Sequence, residues 1–82
     1  MTDKLVSVEK LSDVPSGKYY VVDIGSDSGR FAMRMVHLGL YKGVEIKKLK
    51  NSKKRGPVMI KLKGAKYAIG RGRAERVYVV KK

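Results

Sequence analysis

Hydrophobic and polar residues alternate along much of the chain, and the clearest alternation lies at 57–63. There Val58, Ile60 and Leu62 are separated from one another by single residues. Because successive side chains of a β-strand point to opposite faces, this pattern predicts a strand with one apolar face. Four further segments rich in β-branched and other apolar residues, at 18–25, 44–49, 66–70 and 76–80, are also predicted to be strands.

One segment has the period of a helix instead. Phe31, Met35 and Leu38 recur at spacings of four and three, which places them on one face of an α-helix. The polar stretch at 26–29 supplies N-cap residues for its first turn. Gly39 stands where a left-handed C-cap residue belongs, a conformation that glycine adopts without strain. The sequence therefore predicts a helix of about three turns that ends at Gly39.

The order of these elements predicts the fold class. Beyond Gly43 the period changes from that of a helix to that of a strand, and a single helical turn is predicted at 71–75. Five short strands joined by tight turns favour a curled sheet, because closure hides strand edges. We therefore predict a mainly β protein, a small five-stranded, partly open barrel with one short α-helix inserted after the first strand, as a single domain over residues 1–82.

Composition narrows the class of protein. With 82 residues the chain has room for one core, and it contains no cysteine for a disulfide or a thiolate metal site. No apolar run approaches the roughly 18–20 residues of a membrane span. The first residues lack the apolar centre of a secretory signal. We expect a cytoplasmic protein with no stable membrane insertion.

Charge is the strongest compositional signal. Twenty Lys and Arg residues against seven acidic residues give a net charge of +13. Such an excess accelerates association with any polyanion, although a lysine-rich surface also serves solubility alone. The predicted basic surface is formed by Lys47, Lys48, Lys50, Lys53, Lys54, Arg55, Arg71 and Arg73.

The residues that usually perform chemistry are sparse. His37 is the only histidine, and a transition-metal site needs three or four converging ligands. None of the serines stands in a sequence signature of a nucleophile. We therefore predict no metal site, no cofactor and no enzymatic activity.

Four groups of residues, taken together, form a family pattern. The groups are Leu11, Pro15 and Gly17; Arg34, Leu38, Gly39, Leu40 and Gly43; Gly56, Pro57 and Val58; and 68–71 with Ala74 and 77–79. Their order and spacing resemble the ferrous iron transport protein A (FeoA) family. The family often has two adjacent arginines where this chain has Met33 and Arg34.

This resemblance implies an SH3-like barrel and an accessory role in ferrous iron uptake. The implied partner is the cytoplasmic GTPase domain of the membrane-bound, GTP-dependent iron permease, bound by a monomer. As contact residues we expect Arg34, Leu38, Leu40 and Tyr41, because apolar, aromatic and arginine side chains dominate many interfaces. The lysine-rich hairpin would steer the approach to an acidic face.

Two alternatives remain at the level of sequence. A basic barrel that binds nucleic acid in a translation or RNA context would use tyrosines as stacking platforms for bases. The tyrosines available for this are Tyr19, Tyr20, Tyr41 and Tyr67. A domain similar to the FeoA family also ends some iron-dependent transcriptional repressors, so an iron-sensing regulatory domain is the other alternative.

Overall fold

The alternating segments of the sequence form β-strands, and the helical segment forms a helix. The structure, a computed structural model, describes residues 7–25, 29–50 and 56–82, with the backbone alone at 29, 31 and 32. The elements are β1 (Glu9–Lys10), β2 (Gly17–Ile24), α1 (Gly29–His37), β3 (Glu45–Lys48), β4 (Val58–Leu62), β5 (Ala65–Ile69), α2 (Arg71–Ala74) and β6 (Val77–Lys81). The five predicted strands and both helical segments are confirmed, and the strand ends differ from the prediction by one residue.

Within the described residues, the strands form one antiparallel sheet. Its strand order is β1-β6-β2-β3-β4-β5, so β2 lies between β6 and β3. Tyr19 of β2 accordingly lies opposite Ile46 on one side and Lys81 on the other. A register shift between Val21 and Asp23 marks a bulge in β2, a feature that bends a strand and increases its twist. The predicted mainly β, SH3-like fold class is confirmed.

The predicted number of strands was one too low. β1 pairs with β6 through Glu9 opposite Val79 and Lys10 opposite Tyr78. Both β1 residues are charged and exposed, and two residues are too few to produce an alternating pattern. Residues 9–10 therefore form a strand because they pair with β6, and the sequence of β1 alone does not predict it.

Among the described residues, the core is built from the inward face of the sheet, Met35 of α1, Ala74 of α2 and the loops that join these elements. Tyr19 is 3% exposed, and its hydroxyl donates a hydrogen bond to the Pro15 carbonyl oxygen at 2.7 Å. Burial raises the pKa of this phenol, and the nearby Glu9 charge raises it further. The buried apolar residues are Leu11, Val14, Tyr19, Val21, Met35, Leu40, Val44, Ile46, Val58, Ile60, Leu62, Ile69, Ala74, Val77 and Val79.

α1 ends in a glycine cap that turns the next residue into the core. Gly39 has φ +91°, in the left-handed region, as predicted. The Gly39 amide donates to the Val36 carbonyl oxygen and the Leu40 amide to that of Met35, each at 2.8 Å. This pair of bonds is the Schellman arrangement, in which the residue after the glycine usually packs against the last helical turn. Met35 and Leu40 are each 1% exposed. The predicted N-cap stretch lies outside the described residues.

Lys48 is a buried charged residue that joins β3 to the loop before β2. Its side chain is 5% exposed, and Nζ donates hydrogen bonds to the carbonyl oxygens of Leu11 (2.9 Å), Ser12 (3.5 Å) and Val14 (2.6 Å). The prediction that Lys48 belongs to the basic surface was therefore wrong. The physical reason lies in strand geometry, because Lys48 shares the inward face with Ile46, two residues earlier.

Candidate interaction surface

The solvent-facing side of α1 carries exposed apolar and basic residues together. Among the described residues, Met33 is 60% exposed and Val36 is 49% exposed, although both lie in a helix whose Met35 is fully buried. Arg34 and His37 lie among them, with Arg34 within the last helical turn. We call this area the α1 surface, and it consists of Arg30, Met33, Arg34, Val36, His37, Leu38 and Tyr41. Arg30, Met33, Arg34 and His37 line one shallow depression in it.

Of the four predicted contact residues, three lie on the α1 surface. Arg34 is exposed, Leu38 is 39% exposed and Tyr41 is 41% exposed. Leu40 is 1% exposed, so its prediction as a contact residue was wrong. The glycine cap at Gly39 sends the Leu40 side chain inward and leaves its neighbours Leu38 and Tyr41 at the surface.

Tyr41 links the α1 surface to the hairpin between β4 and β5. The Lys63 ammonium donates to the Tyr41 hydroxyl at 3.4 Å and lies 5.6 Å from the ring centroid, within the range of a cation–π contact. Lys63 and Gly64 form the two-residue turn between the paired Leu62 and Ala65, and both have positive φ, +50° and +87°. Such turns match the twist of a hairpin and hold the Lys63 side chain near Tyr41.

Four lysines from four neighbouring strands lie directly opposite one another on the outer face of the sheet. Lys18 of β2 is opposite Lys47 of β3, Lys47 is opposite Lys61 of β4, and Lys61 is opposite Lys66 of β5. All four side chains are exposed. Lys82 extends the line past β2, since its amide donates to the Lys18 carbonyl oxygen at 3.0 Å. We call these five residues the lysine row.

The lysine row meets the α1 surface at one corner. Lys63, in the turn after β4, lines one depression together with Lys18, Lys47 and Lys61, while its ammonium contacts Tyr41. Glu45 is the acidic side chain beside the row, and it forms an ion pair with Lys82 at 2.9 Å. The hydrogen bond to Glu45 raises the pKa of Lys82. The row and the α1 surface therefore adjoin across Tyr41 and Lys63.

The other predicted basic residues are distributed more widely. Lys47, Lys50 and Arg73 are exposed, as predicted for a basic surface. Arg71 is half-buried, and its Nη2 donates to the Gly56 carbonyl oxygen at 3.3 Å, so part of this side chain serves the fold. The remaining predicted members, Lys53, Lys54 and Arg55, lie outside the described residues. Sequence analysis missed Lys18, Lys61, Lys66 and Lys82, whose alignment with Lys47 becomes visible only in the folded sheet.

His37 lies exposed near the end of α1. Over residues 7–25, 29–50 and 56–82, no group of three or more His, Cys, Asp or Glu side chains converges as metal ligands would. In the same ranges no helix has the length and apolar character needed to cross a membrane.

The sequence matches one known domain family over most of its length. The profile of the FeoA domain family matches residues 9–81. No curated protein sequence gives a significant match.

Solved structures resemble the chain over nearly all of its length. A crystal structure of an iron uptake regulatory protein (FeoA) is 35% identical with a TM-score of 0.76, and the match covers 89% of this chain and 95% of that one. An NMR structure of a FeoA-like protein from Clostridium acetobutylicum is 21% identical with a TM-score of 0.75, and covers 96% of this chain and 87% of that one.

A larger regulator contains a similar fold. The manganese regulator SloR is 23% identical with a TM-score of 0.79, and the match covers 90% of this chain but 34% of SloR. At that identity the likeness to SloR shows the fold alone.

Proposed function

Because the chain belongs to the FeoA domain family, we propose that it is an accessory protein of ferrous iron uptake that acts by binding another protein and not by catalysis. The family match spans residues 9–81, and a relative that is 35% identical over nearly its whole length is an iron uptake regulatory protein. The proposed partner is the soluble GTPase domain of the ferrous iron permease, in the cytoplasm.

The α1 surface is the proposed contact site. Met33, Val36, Leu38 and Tyr41 expose between 39% and 60% of their area, and Met33 lines one depression together with Arg34. Grouped apolar residues at the surface mark interaction sites more often than scattered ones do. Arginine and tyrosine are the residue types that most often dominate interface energetics, and Arg34 and Tyr41 provide both. This exposed apolar and basic group carries the proposal.

The anchoring of the α1 surface to the rest of the fold supports the same role. α1 is anchored through Met35, and the Gly39 cap sets the path of the chain to Tyr41. Lys63 then contacts Tyr41 from the β4–β5 hairpin. A site held by packing on several elements loses little conformational freedom when a partner binds, so more of the contact energy appears as affinity.

Two valines of similar exposure provide the test. Val36 lies on the α1 surface at 49% exposure, and Val8 lies before β1 at 56% exposure. An aspartate at Val36 places a charge in the proposed interface and is expected to weaken binding of the permease domain at least about tenfold, since burying a valine contributes about 1.5 kcal/mol or more. Val8→Asp makes the same chemical change and is expected to alter affinity less than about twofold.

Binding is measured by calorimetric titration of the purified permease domain with wild-type protein and each variant. Circular dichroism confirms that both variants remain folded. Equal affinity of Val36→Asp and wild type would show that α1 is not the contact site. Failure of the wild type to bind the domain at all would disprove the proposed partner.

A further inference from the structure

The lysine row places like charges where a sheet would ordinarily avoid them. Lys18, Lys47, Lys61 and Lys66 form three consecutive directly opposed pairs across four strands. Directly opposite side chains lie about 4.5–5.5 Å apart at Cβ, and like charges in these positions destabilise a sheet. The fold therefore carries an electrostatic cost at these positions, and a bound anion would relieve it.

The row has the dimensions of an extended site. Neighbouring strands lie about 4.8 Å apart, so a row that crosses β2 to β5 and continues to Lys82, just after β6, extends over about 19 Å. Among the described residues, Glu45 is the acidic side chain that adjoins the row, and it is already paired with Lys82. In the same part of the chain, the other four ammonium groups form no ion pair.

The side chains beside the row are apolar and partly exposed. Met59 lies two residues before Lys61, and Ala68 two residues after Lys66, so both share the outer face with the row. Met59 and Ala68 lie opposite each other, and Met59 is half-buried whereas Ala68 is exposed. Leu49, whose amide donates to the Met59 carbonyl oxygen at 2.9 Å, is half-buried on the same side. A line of lysines thus borders a strip of apolar surface.

We propose that the lysine row is a docking site for the surface of an anionic phospholipid bilayer. Lysine acts as a compact, mobile point charge, whereas the planar fork of arginine suits specific phosphate and base recognition, and the row contains no arginine. Lysine stems can lie over the apolar strip formed by Leu49, Met59 and Ala68 while their ammonium groups reach the headgroups.

The aromatic groups near the row do not favour a nucleic acid. Single-stranded nucleic acids bind where aromatic rings are free to stack on bases. Tyr20, exposed on the same face, has the Lys82 ammonium 6.0 Å from its ring centroid, and Tyr41 has Lys63 at 5.6 Å. Tyr67 packs against the core. The face therefore offers charge and apolar area more than stacking platforms.

Bilayer docking would also orient the protein. The α1 surface adjoins the row at Tyr41 and Lys63, so a molecule that rests on headgroups through the row presents the α1 surface at the edge of the contact. This inference rests on strand register and charge, and a vesicle experiment without any partner protein tests it. A lack of binding to vesicles would not affect the proposed function, and a lack of binding to the permease domain would not affect the proposed bilayer site.

The experiment compares two double variants with equal loss of charge. Lys47→Gln with Lys61→Gln removes the centre of the row, whereas Arg73→Gln with Lys81→Gln removes two exposed charges outside it. Lys81 lies opposite the buried Tyr19 and so projects from the other face, and Arg73 lies on α2. Each variant reduces the net charge from +13 by the same amount.

Binding is measured by co-sedimentation with vesicles of phosphatidylcholine, with and without phosphatidylglycerol, at about 0.1 M salt, where the Debye length is about 10 Å. A lysine near an anionic surface contributes about 1 kcal/mol, or about fivefold in affinity, so the row variant should bind about thirtyfold more weakly than wild type. The control variant should change affinity by less than about threefold, since its charges act from a distance on the order of the Debye length. Thermal denaturation should show the row variant at least as stable as wild type, because the change relieves repulsion.

Three results would overturn the proposal. The first is an absence of wild-type binding to phosphatidylglycerol vesicles, and the second is an equal loss in both double variants, which would mean that net charge alone is responsible. The third concerns a single-stranded RNA probe measured in parallel. If the row variant loses as much affinity for the RNA as for vesicles, or more, the row is a nucleic-acid site and not a bilayer site.

Discussion

The ammonium group of Lys48 lies 2.6 Å from the carbonyl oxygen of Val14 and holds the loop before β2 against β3. The same group also donates to the carbonyl oxygens of Leu11 and Ser12, so one buried side chain satisfies three backbone acceptors. A buried ammonium is costly unless it is hydrogen-bonded, and a buried carbonyl without a donor is costly as well. The Lys48 ammonium therefore offsets the cost of burying the carbonyl groups, and the carbonyl groups offset the cost of burying the ammonium. Removing the ammonium alone should lower the stability of the protein.

Replacing Lys48 by methionine tests this dependence. The apolar side chain fills similar space but leaves the carbonyl groups of Leu11 and Val14 without their donor, which should lower the free energy of unfolding by about 2–3 kcal/mol. Urea denaturation monitored by circular dichroism measures the change. Lys47→Met, at the neighbouring exposed position, is the control and should stay within about 0.5 kcal/mol of wild type. Similar stabilities for the two variants would contradict the bridging role of Lys48.

The stability contributed by Lys48 should also depend on pH. Burial lowers the pKa of Lys48 below 10.5, the Arg71 charge lowers it further, and Asp13 opposes them. Between the lowered pKa of the folded state and the ordinary value of 10.5, the unfolded chain therefore holds more protons at this site than the folded protein does. Stability rises with pH wherever the unfolded state binds more protons.

The difference in unfolding free energy between wild type and Lys48→Met isolates this effect from the other lysines. It should shift in favour of the wild type as the pH rises through this alkaline window. Urea denaturation of both proteins at a series of pH values gives the curve. A shift in favour of the variant would mean that the pKa of Lys48 is raised in the folded state.

Two glycines with nearly the same backbone conformation separate strain from packing. Gly39 and Gly43 have φ +91° and +92°. A Cβ on Gly39 would lie 3.3 Å from Leu62 Cδ2, whereas a Cβ on Gly43 would have nothing within 4 Å. Alanine at either position should cost about 1–2 kcal/mol for the left-handed conformation, and Gly39→Ala should cost more because of the contact with Leu62.

Thermal denaturation of both alanine variants tests the order of these effects. Gly72→Ala is the reference, because Gly72 lies in α2 with open space around its Cβ position and no positive φ. It should be neutral or slightly stabilising, as alanine favours a helix over glycine by up to about 1 kcal/mol. A smaller loss at Gly39 than at Gly43 would be inconsistent with the described packing of Leu62.

Substitution by alanine should mainly affect folding stability at Leu40 and mainly affect partner binding at Leu38. Leu40 is 1% exposed, so Leu40→Ala should destabilise the protein by about 2–5 kcal/mol through the cavity it leaves. Leu38 is 39% exposed, so Leu38→Ala should change the free energy of unfolding by less than about 1 kcal/mol. Under the proposed function, Leu38→Ala should instead weaken binding of the permease domain. Denaturation and titration of both variants separate these effects, and a stable Leu40→Ala protein would refute the inward placement.

Some of the misplaced residues left a signal in the sequence. Lys48 lies two residues after Ile46, so alternation would have placed it on the inward face, but its charge led to its prediction as a surface residue. Leu40 follows the glycine of a helix cap, a position that is often apolar and packs on the last turn. In both cases local pattern was the better guide than residue type. β1 left no such signal, since its two charged residues form a strand only because β6 lies beside them.

The sequence by itself determined the five predicted strands, both helical segments and the overall charge. Local patterns placed these five strands to within a residue, glycine ended the helix, and the excess of lysine and arginine required a basic surface. These properties depend on neighbours in the chain, and local patterns record them.

Only the tertiary structure decided how the charges are arranged. Lys18, Lys47, Lys61 and Lys66 are far apart in sequence, and they align because strand register brings them together across the sheet. Register is set by turn geometry and by the core, so one residue of slip would send every side chain of a strand to the other face. The lysine row therefore exists only in the folded protein.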